Sequence, residues 1–404
     1  MDRFGLLGRK LSHSFSPLIH GFLGAYKYDL FETEDVNAFM QDFRDNSQYD
    51  LKGFNVTIPY KESVIPYISE LSPIAKRIGS VNTIVKRSDN CLYGYNTDYF
   101  GFKETVKDFD FKDKKVLVLG SGGASKAVIA CLADMDADVI VISRTGENNY
   151  SNLSKHYDAF AIVNATPVGM FPNMNAAPLD LDEFKSCKLV VDLIYNPRRT
   201  ALLIQAEELG IAVRNGLTML VAQAKLASEI FTGNKLPDAV ISDIEKRVQL
   251  ETTNVILIGM PGSGKSSLAR RLDFNYIDTD KVIAQKVGKT PQEIIETNGE
   301  AIFRDIESKI LSEILQDKGQ IIAAGGGIIT VPENIRLIRQ NCFCIFIKRS
   351  LDILATNGRP LSLKHGVEKL YEERLPLYKK ACDVEVENSD FDLALKEIKD
   401  HIGL

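Results

Sequence analysis

The sequence is sparing with metal-binding sulfur and contains no long apolar run. Its six cysteines, Cys91, Cys131, Cys187, Cys342, Cys344 and Cys382, are scattered without metal-ligand spacing. A zinc site is therefore not expected. Cys342 and Cys344 alternate within CFCIFIK, which reads as a buried strand using cysteine as a small hydrophobe. No apolar stretch approaches the ~18 residues of a spanning helix. The opening MDRFGLLGRKLSHS lacks the apolar core of a signal peptide. There is no repeat, low-complexity linker, basic tail or long run of one charge sign, and the formal net charge is only -5. These absences argue against a nucleic-acid or membrane partner, and the expected setting is the cytoplasm.

What the chain does have is length and two phosphate-binding loops of different design. At 404 residues it is too long for one core and suits two or three domains. The first loop is VLVLGSGGAS, from Val116 to Ser125, where an apolar strand runs into glycines and then a helical stretch. The second is VILIGMPGSGKSS, from Val255 to Ser267, which satisfies G-x-x-x-x-G-K-[ST]. Dinucleotide enzymes use the first device and nucleoside-triphosphate enzymes the second. One catalytic centre rarely needs both, so two joined enzymes are expected.

The expected fold is α/β throughout. Residues 1–99 alternate strand-like runs (FGLLG, GFNVTI, VNTIV) with helical stretches such as SVIPYISELSPIAKRIG, which suggests a compact α/β domain. Residues 100–216 carry KVLVLG, DVIVIS, AIVNAT and KLVVDLIY, read as parallel βαβ units of a Rossmann domain. Residues 217–248 are expected to be helical, 249–253 to be a short linker, and 254–404 to form a third α/β unit with a parallel sheet.

In the last unit, the loop glycines turn backbone N–H groups toward phosphate, and the helix that follows adds its partial positive charge. Lys265 is placed to reach the β- and γ-phosphates and Ser266 to ligate Mg²⁺. FNYIDTD sets Asp278 and Asp280 one pleat apart at a strand end, for Mg²⁺ and for a substrate hydroxyl; helix capping is the other reading of either. Arg304, Arg359 and Arg374 suit a carboxylate clamp and charge neutralisation if they converge. With GMPGSGKSS, D-T-D, GEAIFRDIE, AAGGGII, R-P-L and R-L-P-L-Y in family order, residues 254–404 closely resemble shikimate kinase. That resemblance implies ATP-dependent phosphorylation of the shikimate 3-hydroxyl. It implies that Pro261, Gly262, Ser263, Gly264, Lys265, Ser266 and Ser267 hold the nucleotide and that Ser266 and Asp278 serve Mg²⁺. Asp280 would bind ring hydroxyls, Arg304 and Arg374 the substrate carboxylate, and Gly326 would line the pocket. Lys265 and Arg359 would act in catalysis, Arg359 from a lid, LATNGRPLS, that has one arginine where many family members have two.

In the first half, Gly120 and Gly122 fit the start of G-x-G-x-x-G, but Ser125 takes the third glycine position. About 20 residues on, where an NAD enzyme carries an acid for the ribose hydroxyl, stand Ser143 and Arg144. A cation there favours NADP. Ser14, Ser16, Asn55, Thr57, Asn82 and Asn96 offer short hydroxyl and amide groups alongside Lys61 and Asp98. Each alone has a structural reading as cap, turn former or solvated charge. Together they suit a small polyhydroxylated acid, with Lys61 beside Asp98 to move a proton during ketone reduction.

The stretches HSFSP, NVTIPYKE, IGSVNT, NTDYFG, GSGGASKA, NATPVGM, DLIYNP and NGLTMLVAQA, in that order, resemble shikimate dehydrogenase. The resemblance implies reversible NADP-dependent reduction of 3-dehydroshikimate, with Lys61 as proton donor assisted by Asp98. Substrate contacts would fall to Ser14, Ser16, Thr57, Asn82, Asp98, Tyr195 and Gln223. The cofactor site would be lined by Gly120, Ser121, Gly122, Gly123, Ala124, Ser143, Arg144, Thr166, Leu193 and Gly216. It also implies that helices 217–248 pack back onto the first domain. The two resemblances describe consecutive steps toward aromatic amino-acid precursors, since the hydroxyl made by the first is phosphorylated by the second. The alternative is an NAD-using quinate/shikimate dehydrogenase fused to a nucleotide-binding domain without catalysis. Monomer and homodimer both stay open.

Overall fold

Three sheets organise the chain, whose computed structural model describes every residue except 12–13, 46–50, 273 and 355–365. The first sheet contains β1 (Arg3–Gly8), β2 (Lys27–Glu32), β3 (Gly53–Val56), β4 (Glu70–Leu71), β5 (Thr83–Lys86) and β6 (Leu92–Tyr95), in the order β2-β1-β3-β5-β6-β4. It is mixed: β1 pairs in parallel with β2 and β3, while β5 runs antiparallel to β3 and β6. The stretch expected as one helix, SVIPYISELSPIAKRIG, is broken. A 3₁₀ turn at Ile65–Tyr67 and β4 come first, and a helix starts only at Pro73. Ser72 stops the continuation by accepting the Ala75 N–H at 3.2 Å, with proline pre-set at the first helical position.

The second sheet is entirely parallel: β7 (Lys115–Leu119), β8 (Asp138–Ile142), β9 (Ala161–Asn164), β10 (Leu189–Asp192) and the short β11 (Ala212–Arg214), in the order β11-β10-β9-β7-β8. Val116 to Leu119 are completely buried, as a strand covered by helices on both faces must be. The helix Leu217–Thr232 packs against the helices Ser16–Leu23 and Asp98–Thr105 and against β5. Phe231 stacks on Phe4 of β1 with ring centroids 4.5 Å apart. Gly233 ends that helix in the left-handed conformation, φ 74°, its N–H returning to the Glu229 carbonyl.

The third sheet is also parallel: β12 (Asn254–Ile258), β13 (Asn275–Asp278), β14 (Gln320–Ala323), β15 (Cys342–Lys348) and β16 (Val384–Glu387), in the order β13-β14-β12-β15-β16. Cys342 and Cys344 lie fully buried on β15. The chain forms two compact units, Met1–Glu245 with the first two sheets and Lys246–Leu404 with the third. The boundary falls inside a helix, Val240–Thr252, so the segment 249–253 expected as a short linker is mostly the last turn of that helix. Among the described residues no helix is long and apolar enough to cross a membrane.

Candidate active sites

In the first unit five predicted cofactor positions follow five parallel strands at their carboxy ends: Gly120 after β7, Ser143 after β8, Thr166 after β9, Leu193 after β10 and Gly216 after β11. This is the sheet edge at which open α/β folds hold ligands. Gly120 adopts φ +103°, and a Cβ there would come within 3.0 Å of Thr166. Gly216 needs glycine for space, because a Cβ would meet the Leu193 carbonyl oxygen at 2.0 Å. A Cβ at Gly122 would touch nothing within 4 Å, so the approach to the helix Gly123–Ala133 is open beside Ser121 and Ala124. Ser125, in the third glycine position, is fully buried and donates its hydroxyl to the Gly122 carbonyl at 2.6 Å. The substitution thus tightens the loop instead of blocking it. Arg144 is exposed at the tip of a turn stapled by asparagines: Asn149 Nδ2 donates to the Gly146 carbonyl at 2.9 Å and Asn152 Nδ2 to the Glu147 carbonyl at 2.8 Å.

Facing this edge, Lys61 Nζ donates to Asp98 Oδ2 at 2.6 Å, with side-chain exposures of 13% and 8%. A turn and the start of the helix Asp98–Thr105 meet here across 37 residues, and a Cβ on Gly123 would lie 3.6 Å from the Lys61 side chain. The dinucleotide loop and the Lys–Asp pair are therefore neighbours. Asn82 is buried, its Oδ1 accepting the Thr97 N–H at 2.7 Å. Gln223, on the helix Leu217–Thr232, accepts from the Thr97 hydroxyl at 3.3 Å. Ser16 is buried, its N–H reaching Ser14 Oγ at 3.2 Å, and Phe15 between them packs on Tyr195 with centroids 5.2 Å apart. Burial raises the Tyr195 hydroxyl pKa. Thr57 is half-buried at the end of β3. Sequence reasoning passed over Thr83 and Thr97, whose hydroxyls carry the buried links between these residues.

In the second unit a cavity of about 380 Å³ is lined by Pro261, Gly262, Gly264, Lys265, Ser266, Ser267, Asp278, Asp280, Arg304, Gly326 and Arg374. Ser263 is the loop residue left out: it is buried beneath the loop, its carbonyl accepting Asn388 Nδ2 at 2.7 Å. Arg359 lies outside the described residues. Lys265 is 8% exposed and donates to the Gly259 and Met260 carbonyls at 2.9 Å each. Ser266 donates to Asp278 Oδ2 at 2.9 Å. One expectation fails in its reasoning: Asp278 and Asp280 are not one pleat apart, because β13 ends at Asp278. Asp278 caps the following helix, Thr279–Val287, and Asp280 reaches the cavity from that helix's first turn.

Arg374 is buried and donates to the Gly326 carbonyl at 3.2 Å. Arg304 donates to Glu307 Oε2 at 2.5 Å and to Glu300 Oε1 at 3.1 Å. Burial works against its charge, yet the two carboxylates hold its pKa above the usual arginine value. Burial pushes Glu307 up, and Arg304 opposes that shift. Two charged lining residues were missed: Glu307, inside a motif already quoted, and Arg349 after β15, whose Nη1 donates to the Gly262 carbonyl at 3.2 Å.

Fold and loops define the class, a Rossmann-type dehydrogenase unit followed by a P-loop kinase unit. The shikimate dehydrogenase substrate binding domain model matches residues 6–84 and the shikimate kinase model residues 261–402. The shikimate dehydrogenase (NADP(+)) of Caldicellulosiruptor bescii is 39% identical over 292 residues, covering 63% of this chain and 100% of that protein. The crystal structure of shikimate dehydrogenase 1 from Peptoclostridium difficile superposes with a TM-score of 0.57 at 37% identity, over 62% of this chain and 98% of that one. Shikimate 5-dehydrogenase from Thermus thermophilus, solved with NADP(H) and shikimate, gives a TM-score of 0.55 at 32% identity, over 61% of this chain and 99% of that one. The chain belongs to the shikimate dehydrogenase family, and its second unit carries a shikimate kinase domain.

Proposed function

We propose that one polypeptide performs two consecutive reactions, NADPH-dependent reduction of 3-dehydroshikimate to shikimate and ATP-dependent phosphorylation of shikimate at its 3-hydroxyl. The observation that carries the first step is the 2.6 Å Lys61–Asp98 pair set against Gly123 of the dinucleotide loop. NADPH supplies the hydride when bound, and the open N-terminus of the helix Gly123–Ala133 fits its pyrophosphate. Lys61 Nζ gives a proton to the oxygen that becomes the new hydroxyl. Asp98 holds that nitrogen in place. Ser14, Ser16, Thr57, Asn82, Tyr195 and Gln223 orient the ring and its carboxylate. Arg144 meets the 2′-phosphate that distinguishes NADP from NAD.

In the second unit Asp280 receives ring hydroxyls, and Arg304 and Arg374 hold the carboxylate beside Gly326. Lys265 and the loop's N–H groups neutralise phosphate charge as it shifts during transfer. Ser266 and Asp278 present hard oxygen donors side by side, which suits Mg²⁺. When bound, that ion would neutralise phosphate charge during transfer. Nothing in this reading needs a nucleic-acid or membrane partner, and it places both steps in the cytoplasm.

The test is an assay of the purified chain with 3-dehydroshikimate, NADPH, ATP and Mg²⁺, following NADPH oxidation and the phosphorylated product separately. Lys61→Ala should abolish oxidation while leaving phosphorylation of added shikimate intact, and Lys265→Ala should do the reverse. A Lys265→Ala chain that still phosphorylated shikimate would refute the kinase assignment.

A further inference from the structure

Behind the Lys61–Asp98 pair runs a series of hydrogen bonds that begins at residues without a substrate role, Tyr28 and Asn55, and leads through Thr83 and Thr97 to Asn82 and Gln223. Tyr28 on β2 donates its hydroxyl to Asn55 Oδ1 at 2.7 Å. The Asn55 amide is thereby oriented, so its Nδ2 donates on the other side, to the Asn82 carbonyl at 3.2 Å and to Thr83 Oγ1 at 2.9 Å. Thr83 donates onward to Asn82 Oδ1 at 3.2 Å, and the same oxygen accepts the Thr97 N–H at 2.7 Å. Both acceptor positions of that oxygen are then filled. Asn82 Nδ2 donates to Thr97 Oγ1 at 3.0 Å, and the Thr97 hydroxyl lies 3.2 Å from the already filled Asn82 Oδ1 and 3.3 Å from Gln223 Oε1, so its proton is assigned to Gln223. Gln223 is oriented in turn by its Nε2, which donates to the Leu220 carbonyl at 2.9 Å. The side-chain donors run from Tyr28 toward Gln223, the Thr97 N–H closes back on Asn82, and the residue after Thr97 is Asp98.

The start of the series is anchored as firmly as its end. His20 stacks on Tyr28 with ring centroids 3.9 Å apart and planes 8° from parallel. Burial lifts the Tyr28 pKa well above the usual tyrosine value, so the hydroxyl keeps its proton, and the Ser16 side chain hydrogen-bonds to it. Loss of that hydroxyl cannot be repaired by turning the Asn55 amide over. The flipped oxygen would face the Asn82 carbonyl oxygen, and two acceptors would meet without a proton between them.

We propose that Tyr28 is a positioning residue of the reductase site. Its hydroxyl sets Asn55, and through Thr83 and Thr97 it sets Asn82, Asp98 and Gln223, for a small polyhydroxylated ring acid. The inference rests on the reading of the first unit as a dehydroshikimate reductase. It extends that site to a side chain that touches neither substrate nor cofactor.

The experiment compares Tyr28→Phe with Tyr26→Phe in the full-length chain. Tyr26 is the control: its hydroxyl donates to Ser228 Oγ at 2.9 Å and pairs with His20 Nδ1 at 2.7 Å, so it reaches Asn55 only at second hand, through the His20 ring. Tyr28→Phe should raise KM for 3-dehydroshikimate about tenfold, the worth of one buried hydrogen bond, with KM for NADPH unmoved and kcat changed less. Tyr26→Phe should lower the unfolding temperature comparably and leave both KM values alone. Thr83→Val cuts the series at its middle and must reproduce the Tyr28→Phe pattern, which keeps the test decisive if Tyr28→Phe folds poorly. An unmoved substrate KM in Tyr28→Phe or Thr83→Val, or an equal rise in Tyr26→Phe, would overturn the role. A wild-type chain without reductase activity would instead overturn the functional reading beneath it.

Discussion

Lys61 and Asp98 show how one contact serves chemistry more than stability. An ion pair this well buried recovers little of the desolvation it costs, so the pair is best understood as holding a proton donor in position. His20 makes the opposite compromise, because burial drives its pKa from 6.5 to about 3 and keeps the ring neutral. The unfolded chain therefore binds a proton between those values that the folded chain refuses. Stability from this group is complete above pH 6.5 and is lost progressively as pH falls toward about 3. At pH 4.5 the loss should be on the order of 2 kcal/mol. His20→Gln should flatten the pH dependence of unfolding of the first unit between pH 6.5 and 4.5, as read by denaturant titration. Unchanged pH dependence in the variant would mean that His20 is not the buried neutral group described here.

At the scale of elements, the phosphate loop after β12 depends on backbone shapes that only glycine adopts without strain. Gly264 has φ +98°, and a Cβ there would sit 2.3 Å from Asn388 Nδ2, the group that ties the loop through the Ser263 carbonyl. Gly264→Ala should displace either the loop or Asn388 and lower shikimate phosphorylation on the order of 10²-fold. NADPH oxidation by the same chain should stay at its wild-type rate. Equal kinase rates in variant and wild type would show that the loop tolerates the shift.

Such loops were legible in the sequence because their signal is local: apolar strand, glycines, then helix within a dozen residues. The all-parallel second and third sheets followed from the same logic. Where local signals competed, the reading slipped. Pro66 and Pro73 broke a stretch whose apolar spacing looked helical, and Asp278 ended β13 by capping a helix that carries Asp280. Arg349 stayed invisible for a different reason, since its link to Gly262 joins positions 87 residues apart. Only strand order brings β15 beside β12. The series from Tyr28 to Gln223 was equally hidden, because single polar residues in strands look like ordinary β-sheet chemistry until their partners are known.

At the scale of the whole molecule, each hydrophobic core cluster among the described residues is drawn from one unit. Phe54, Val118 and Leu189 belong to cores of the first unit, while Phe346, Tyr378 and Leu257 belong to cores of the second. Separate cores give each unit its own cooperative unfolding. A ligand stabilises only the state it binds, by about 2.7 kcal/mol at a hundred times its Kd, which moves the midpoint of a domain this size by a few degrees. Scanning calorimetry of the intact chain should therefore show two transitions, one raised by NADP⁺ and the other by ADP with Mg²⁺. Each ligand should leave the other transition in place, and Lys265→Ala should weaken only the nucleotide response. A single transition raised equally by both ligands would mean that the two units unfold as one. The independent catalytic losses expected of Lys61→Ala and Lys265→Ala would then have to be read against a shared stability.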